Sequence, residues 1–301
     1  MVRVGVVLLP QERWQQARHR WVRAEEMGFD HAWTYDHLAW RDLADEPWFA
    51  TVPLLAAAAA VTTRIGLGTW VASPNFRHPV PFAKDVMGLD DVSGGRFVLG
   101  VGAGGEGWDA GVLGPAPSRG ERTRRFGEFL DVLDRLLTRP VTEHTGEFYE
   151  AHAARMVPGT IARPRTPFVV AANGPRTMAL AARYGQGWAT YGPGGGVGDG
   201  VDEADAQEAW WAGVERMVAQ FDEVAAGRAV GRWLSLDGAP RFSLSSAALA
   251  VEGVERAAAL GFGDVVVHWP RPAGVYAGAE RELERFAAEL PRLQALPVAT
   301  R

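Results

Sequence analysis

Eight short apolar runs alternate with eight helix-like stretches along the 301 residues, and no proline-rich linker or shift in composition divides them. Two helix-to-strand joins, Glu26-Met-Gly-Phe-Asp30 and Ala259-Leu-Gly-Phe-Gly263, resemble each other. These observations predict an α/β fold of the (β/α)8 (TIM) barrel class, read as one domain over residues 1–301. Strict alternation implies parallel strands with helical crossovers. Eight such units in about 300 residues favour a closed barrel over an open doubly wound sheet.

The elements follow in order. Val2–Leu9 is β-branched and aliphatic, is closed by Pro10, and reads as a buried strand. Glu12–Met27 sets Trp14, Ala17, Trp21, Ala24 and Met27 at helical spacing, with Gly28 where a helix C′ residue belongs. His31–Tyr35 is the second strand and Pro47–Val61 the second helix; Ile65–Trp70 and Pro81–Val92 are the third pair. Phe97–Val101 is the fourth strand and runs into the glycine-rich Gly102–Gly107. Ser118-Arg-Gly-Glu121 is a capping box opening a helix whose Phe126, Phe129, Leu130, Leu133, Leu136 and Leu137 share one stripe.

Arg139–Pro167 has no clear period and is expected to hold short strands and loops, an insertion between the fourth helix and the fifth strand. Phe168–Ala172 is the fifth strand, and Pro175–Tyr184 is a helix with proline at its first position. Trp188–Tyr191, Arg232–Leu236 and Val265–Trp269 complete the strands; Glu203–Ala226, Ala247–Leu260 and Glu280–Leu290 complete the helices. The Gly192–Asp202 stretch is glycine-rich but lacks the lysine of a phosphate-binding P-loop.

Composition excludes several function classes. Apolar residues make up 47% and charged residues 22%, with a formal net charge of −5, which is no basic nucleic-acid binder. The absence of cysteine removes disulfides, thiolate nucleophiles and cysteine metal sites. The first ten residues lack a charged region followed by a long apolar run, and Val52–Val61 is too short to span a bilayer. A cytoplasmic location with neither signal peptide nor membrane segment is the expectation. None of the seven histidines falls in an H-x-H or H-E-x-x-H pattern, and no G-x-S-x-G elbow occurs, so neither a catalytic metal nor a serine nucleophile is expected.

A barrel of this class carries its site at the C-terminal ends of the strands. The residues expected there are Leu9, Asp36-His37, Trp70-Val71, Gly102–Glu106, Asn173-Gly174, Tyr191 and His268-Trp269. His37 beside Asp36 suits a general acid or a hydrogen-bond donor to a cofactor; a satisfied loop histidine fits the pattern too. Gly100-Val-Gly-Ala-Gly-Gly-Glu-Gly107 is not a dinucleotide fingerprint, because no helix opens on the glycines. It reads either as a loop letting a flat or phosphorylated ligand reach the backbone, with Glu106 as a site carboxylate, or as a flexible surface loop. Asn173-Gly174-Pro175 precedes a helix, where exposed N–H groups suit a phosphate, although a plain turn has the same sequence. Trp40, Trp70, Trp108, Trp188 and Trp269 could wall a planar ligand, or fill the core.

Several stretches resemble the luciferase-like monooxygenase superfamily, in particular its branch dependent on the deazaflavin coenzyme F420. They are Ala24–Trp33, Tyr35-Asp-His-Leu38, Ile65–Thr69, Arg77-His-Pro79, Leu89–Gly104 with its Ser-Gly-Gly-Arg-Phe, and Ala171–Arg176 through Trp188. The resemblance implies a (β/α)8 barrel with an insertion, usually oligomeric (a homodimer or larger), binding F420 or reduced FMN at its mouth. Asp36 and His37 match the Asp-His pair of the F420 branch, whose histidine contacts or protonates the deazaflavin. FMN monooxygenases more often show Glu-His-His there, so F420 is expected and FMN is the alternative. In this match Asp36 is the orienter of His37 or a cofactor contact. Trp70-Val71 falls on a non-proline cis peptide that backs the cofactor ring, Gly104, Gly105 and Glu106 on the loop with a site carboxylate, and Asn173-Gly174-Pro175 on the phosphate loop. Gly105 looks like an insertion relative to the family. Trp40 and Trp108 are expected to wall a small organic substrate. The segment after Gly231 is short and shows no recognisable sugar-phosphate site, so a glucose-6-phosphate dehydrogenase is not expected.

Overall fold

A computed structural model describes residues 1–105, 107–194 and 202–300. Glu106 and most of Gly192–Asp202 lie outside the described residues. In chain order the elements are β1 (Arg3–Val7), α1 (Trp14–Glu26), β2 (His31–Thr34), α2 (Thr51–Val61), β3 (Gly66–Thr69), α3 (Pro79–Val92), β4 (Phe97–Gly102) and α4 (Arg119–Thr138). The hairpin β5 (Val141–Thr145) and β6 (Glu150–Arg155) follows, then β7 (Phe168–Ala171), α5 (Pro175–Tyr184), β8 (Gly187–Thr190) and α6 (Glu203–Ala225). The chain continues through β9 (Gly231–Ser235), α7 (Ala247–Ala259), β10 (Asp264–His268), α8 (Glu280–Ala288) and α9 (Leu290–Gln294).

The strands close into a parallel barrel in the order β1-β10-β9-β8-β7-β4-β3-β2, and the antiparallel hairpin β5-β6 stands apart as the insertion. Alternation along each strand divides the apolar residues between two cores. Val4 and Val6 of β1 face the helices with Phe82, Phe129 and Phe221, whereas Val7 joins an inner cluster with Trp33, Trp233 and Val266. Glycines make that inner cluster possible. A Cβ at Gly68 would overlap the Trp33 ring, and one at Gly5 would overlap His31. Two bulky rings thus fill the barrel because strands beside them carry no side chain at the same level. The His31 ring accepts the Trp33 indole N–H (2.7 Å) and meets Asp264 (3.2 Å), so both ring nitrogens and the indole are paired inside the barrel.

Helix ends follow the local chemistry. Ser118 Oγ accepts the Glu121 N–H and starts α4, and Ser246 Oγ accepts the Leu249 N–H and starts α7. The hairpin is clipped to α4 by Glu128, whose carboxylate accepts the N–H groups of Glu147, Phe148 and Tyr149 and meets His144 at 3.0 Å. One boundary differs from the expectation by more than two residues. Pro47–Ala50 is extended, and α2 begins only at Thr51. The Phe49 N–H donates to Pro10 O (2.7 Å) and the Trp48 indole to His37 O (2.8 Å), which pulls this stretch across the barrel mouth before the helix starts.

Candidate active site

The end of β2 supplies three consecutive polar side chains that go three ways. Tyr35 turns inward and joins His268 at the end of β10 (2.8 Å). Asp36 is 1% exposed and takes both of its oxygens to Arg77, with two contacts of 2.6 Å. His37 is a quarter exposed, and its Nδ1 lies 2.5 Å from Asp109 Oδ2. Asp36 is therefore not the orienter of His37, as the adjacency suggested. A bidentate guanidinium fork from the β3–α3 loop takes up its charge, because the desolvated carboxylate needs a cation at hydrogen-bond distance.

Asp109 does the orienting. It sits in a short 3₁₀ turn, Trp108–Ala110, after the glycine loop, and is 3% exposed. Its second oxygen accepts the backbone N–H groups of Leu38 (2.9 Å) and Ala39 (3.3 Å). A carboxylate only accepts hydrogen bonds, so the proton on the shared contact belongs to His37 Nδ1. The other ring nitrogen, Nε2, has no protein hydrogen-bond partner among the described residues. The ring is thus fixed in orientation by one nitrogen and offers the other to a ligand, the arrangement by which a second group sets a histidine's tautomer.

Beside this pair the Trp70–Val71 peptide is cis, as the resemblance implied. A Cβ at Gly100 or Gly102 would press on the Val71 side chain, so glycines in β4 let the β3 end lie close against it. Gly104 has φ +79° and could carry no Cβ without striking Asn75 at 2.5 Å, so this bend of the loop calls for glycine. Asn75 also reaches Gly105 O (3.4 Å) and accepts from Arg125 (3.0 Å). At Gly105 a Cβ would find its nearest neighbour 3.8 Å away, and at Gly174 none within 4 Å, so both positions border open space.

Across the mouth, Asn173 uses its amide to tie the loop to the end of β8. Its Nδ2 donates to Gly192 O (2.9 Å) and its Oδ1 accepts the Thr190 hydroxyl (2.8 Å). What that loop offers an anion is the backbone at the start of α5, where Gly174 precedes Pro175, not the Asn173 side chain.

The tryptophans separate. Trp40 packs against Tyr35 (5.1 Å between ring centroids) and stacks on Tyr276 (6.1 Å), so it belongs to the aromatic rim. Trp70 lies 5.1 Å from Trp33, over the inner core. Trp108 is 53% exposed and makes no ring contact among the described residues, so the structure brings Trp40 but not Trp108 into the rim. Trp188 is fully buried, stacked on Phe221 at 4.3 Å, and is core. Glu106 falls outside the described residues. Sequence reasoning missed Asp109, Arg77 as the partner of Asp36, and Tyr276. Their partners lie 41 to 241 positions away, beyond any local pattern.

These residues fit a flat redox cofactor with a phosphate-bearing tail. The cis Trp70–Val71 peptide lies at the end of β3 against the β4 glycines, His37 leaves one ring nitrogen without a protein partner among the described residues, and the α5 start presents backbone N–H groups. Among the described residues no three metal-ligating side chains converge, and no helix is long and apolar enough to cross a membrane.

Comparison with known proteins shows what the chain resembles. The chain is 37% identical over 192 residues to the 4-hydroxyprotoasukamycin monooxygenase of Streptomyces nodosus subsp. asukaensis, covering 61% of this chain and 48% of that one. It is 38% identical over 172 residues to the F420-dependent glucose-6-phosphate dehydrogenase of Beutenbergia cavernae, covering 56% and 49%. The chain thus spans about half the length of the curated relatives it matches. In fold it superposes on the coenzyme F420-dependent tetrahydromethanopterin reductase of Methanopyrus kandleri with a TM-score of 0.73 at 18% identity, over 97% of this chain and 99% of the other. The family model for luciferase-like monooxygenase matches residues 1–232, more than half of the sequence, and the chain belongs to that family.

Proposed function

We propose that the chain is an oxidoreductase that moves a hydride between coenzyme F420 and a small organic substrate, working as one domain over residues 1–301. The observation that carries the reading is His37 at the C-terminal mouth, its Nδ1 held by Asp109 and its Nε2 without a protein partner among the described residues. F420, when bound, supplies the two-electron hydride chemistry. The protein supplies position and charge. Trp70 and Val71 support the ring, Gly104 and Gly105 let it approach the backbone, and Gly174 and Pro175 open the phosphate end with Asn173 bracing the loop. His37 hydrogen-bonds the ring or delivers a proton to it. Asp36 acts at one remove, by fixing Arg77 under the mouth. Trp40 borders the substrate, and Trp108 joins it only if the ligand draws its exposed ring inward. Glu106 remains the carboxylate proposed for the same loop.

Relatives named F420-dependent dehydrogenases, 33 to 38% identical, support the choice of cofactor. The monooxygenase relative at 37% supports a second reading, in which reduced FMN and oxygen do the work. Titrating the apo-protein with F420 and with FMN while following cofactor fluorescence separates them. Tight F420 binding is expected; tight FMN binding without F420 binding overturns the assignment. A glucose-6-phosphate dehydrogenase activity is not part of the proposal, since the family match ends at residue 232 and the short segment beyond shows no sugar-phosphate motif. A cytoplasmic homodimer or larger oligomer completes the reading, and sedimentation equilibrium measures the subunit count.

A further inference from the structure

On the far side of Tyr35 lies a string of polar side chains that the reading above does not use. Tyr35 Oη is 2.8 Å from His268 Nε2 and 2.8 Å from Tyr276 Oη. His268 Nδ1 is 2.8 Å from Asp237 Oδ2, which also accepts the backbone N–H of His268 (2.7 Å). The other Asp237 oxygen accepts the Ser243 N–H (2.8 Å). The members come from the ends of β2, β9 and β10 and from the loop before α8, all at the C-terminal mouth.

The donor directions follow from the chemistry of the groups. Asp237 can only accept, so the His268 proton sits on Nδ1 and Nε2 carries the lone pair. The Tyr35 hydroxyl must then donate to Nε2, which leaves the Tyr276 hydroxyl to donate to the Tyr35 oxygen. Every proton in the string points inward, and the string ends on the lone pairs of a half-buried phenol at the rim. A cluster that merely satisfied buried groups has no need of a terminus there. Tyr276 is also held in place. Its backbone has φ +60°, a conformation that bulky residues seldom adopt. Arg271 fastens the loop around it, bonding Glu46 (2.6 Å), Gln11 (3.0 Å) and the carbonyls of Ala273 and Val275. The phenol ring stacks on His268 at 4.0 Å and on Trp40 at 6.1 Å.

The geometry points to a proton relay, Tyr276–Tyr35–His268–Asp237, that takes the hydroxyl proton of an alcohol bound at the mouth and returns it when the matching carbonyl is reduced. It rests on the hydride-transfer reading and deepens it by naming the substrate couple. In the oxidising direction the C–H bond breaks and its electron pair leaves as hydride for oxidised F420. The O–H proton moves to the Tyr276 oxygen, the Tyr276 proton to the Tyr35 oxygen, and the Tyr35 proton to His268 Nε2. The C=O bond forms from the released O–H pair, and the imidazolium faces the Asp237 carboxylate. Reduction runs the same steps backwards.

The charged groups facing the two phenols are Asp237 and Arg41, and the titratable rings against Tyr35 are His37 and His268. Burial raises Tyr276 to about 12 and raises Tyr35 well above the ordinary phenol value. Both phenols therefore hold their protons at neutral pH and pass them along, with His268 as the group that ends up charged.

The test uses the full chain, unaltered and as Tyr276→Phe, with three readouts. Long-range proton–nitrogen NMR of histidine-labelled apo-protein should show His268 as the Nδ1–H tautomer in both. F420 fluorescence titration should give the same Kd for both within about twofold. With a panel of secondary alcohols and ketones, Tyr276→Phe should lose about a hundredfold in turnover at neutral pH and shift its pH profile, the size expected for removing a general base. A Tyr276→Phe enzyme with unchanged turnover and pH profile overturns the relay, as does an Nε2–H tautomer of His268. Failure of the unaltered, F420-loaded chain to turn over any alcohol or carbonyl overturns it as well. Failure of the unaltered chain to bind F420 overturns the cofactor reading instead, and the apo-state tautomer then decides whether the string has its inferred direction.

Discussion

Replacing Asp109 in two ways separates its structural work from its work on His37. Asp109→Ala removes the acceptor for His37 Nδ1 and for the Leu38 and Ala39 N–H groups at a position 3% exposed. Each unpaired buried donor costs about 1–3 kcal/mol; with the Ala39 contact counted as weak, the total loss is about 3–5 kcal/mol. Asp109→Asn keeps one oxygen for the two backbone donors and turns an NH2 toward Nδ1. His37 must then put its lone pair on Nδ1 and its proton on Nε2, and the imidazolium loses its counter-charge. The stability loss is about 1–2 kcal/mol, a few degrees in melting temperature for a chain of this size. The loss in hydride transfer should be far larger, on the order of 10²–10⁴-fold, because the protonated ring that would serve the cofactor has lost the carboxylate that stabilises it. Thermal melts of the apo-proteins, and single-turnover reduction of F420 followed by its absorbance across pH, provide the two measurements. If Asp109→Asn reacts at the unaltered rate with an unaltered pH profile, His37 does not work through Asp109.

Three further outcomes follow from the same contacts. Arg77→Met strands the buried Asp36 carboxylate and should cost about 3–5 kcal/mol in urea denaturation, while Asp36→Leu combined with Arg77→Met should recover much of it; equal losses in both would mean the pair is not coupled. Burial works to raise the Glu25 carboxyl, but the N–H groups of Ile65, Arg64 and Thr63, with the Thr63 hydroxyl, lower it from 4.5 to about 2. Its stabilising effect is therefore complete above pH 4.5 and lost as pH falls toward 2. After solvent screening, Glu25→Gln should cost about 1–2 kcal/mol at pH 7 and almost nothing at pH 2, so a gap that persists at pH 2 in denaturant titrations would contradict this role. His37→Ala should cut turnover by a hundredfold or more while the melting temperature moves by only a few degrees, since the ring is partly exposed and its removal leaves no cavity in the core; a kinetically normal variant rejects its assignment.

The barrel was legible in the sequence because its signal is repeated and local. Each strand is a short aliphatic run, each helix has a stripe such as Phe126 to Leu137, and errors at single boundaries do not change the count. The most misplaced start, Pro47 for Thr51, arose where long-range bonds from Phe49 and Trp48 overrode a helical pattern. The site was legible only in part. Asp36-His37 stood out because two titratable residues end a strand, yet their adjacency in sequence implied a mutual contact that strand geometry forbids. Neighbouring side chains leave a strand end on opposite sides, so each finds a partner on a different loop. Those partners, Arg77 and Asp109, have no pattern of their own. Nor does Tyr276, whose contact with Tyr35 spans 241 positions.

The same alternation explains why the mouth is organised around one strand end. Tyr35, Asp36 and His37 reach the β10–α8 loop, the β3–α3 loop and the β4–α4 loop respectively, each through a short polar contact. Three loops that would otherwise be placed only by their own turns are thereby held to a common rigid point, which is the condition for a preorganised site. The charges are divided in a way that suits two proton transfers at one mouth. Asp36 is neutralised by Arg77 and is not available to either imidazole. His37 and His268 each have a carboxylate of their own, Asp109 and Asp237, and the Tyr35 ring stands between them at 5.8 and 5.5 Å. An imidazolium formed at one site is compensated locally and need not disturb the other. In the proposed alcohol oxidation that separation would let the substrate lose its proton to one pair while the other serves the cofactor ring. Two Asp–His pairs flanking one tyrosine fit that proposed division of work.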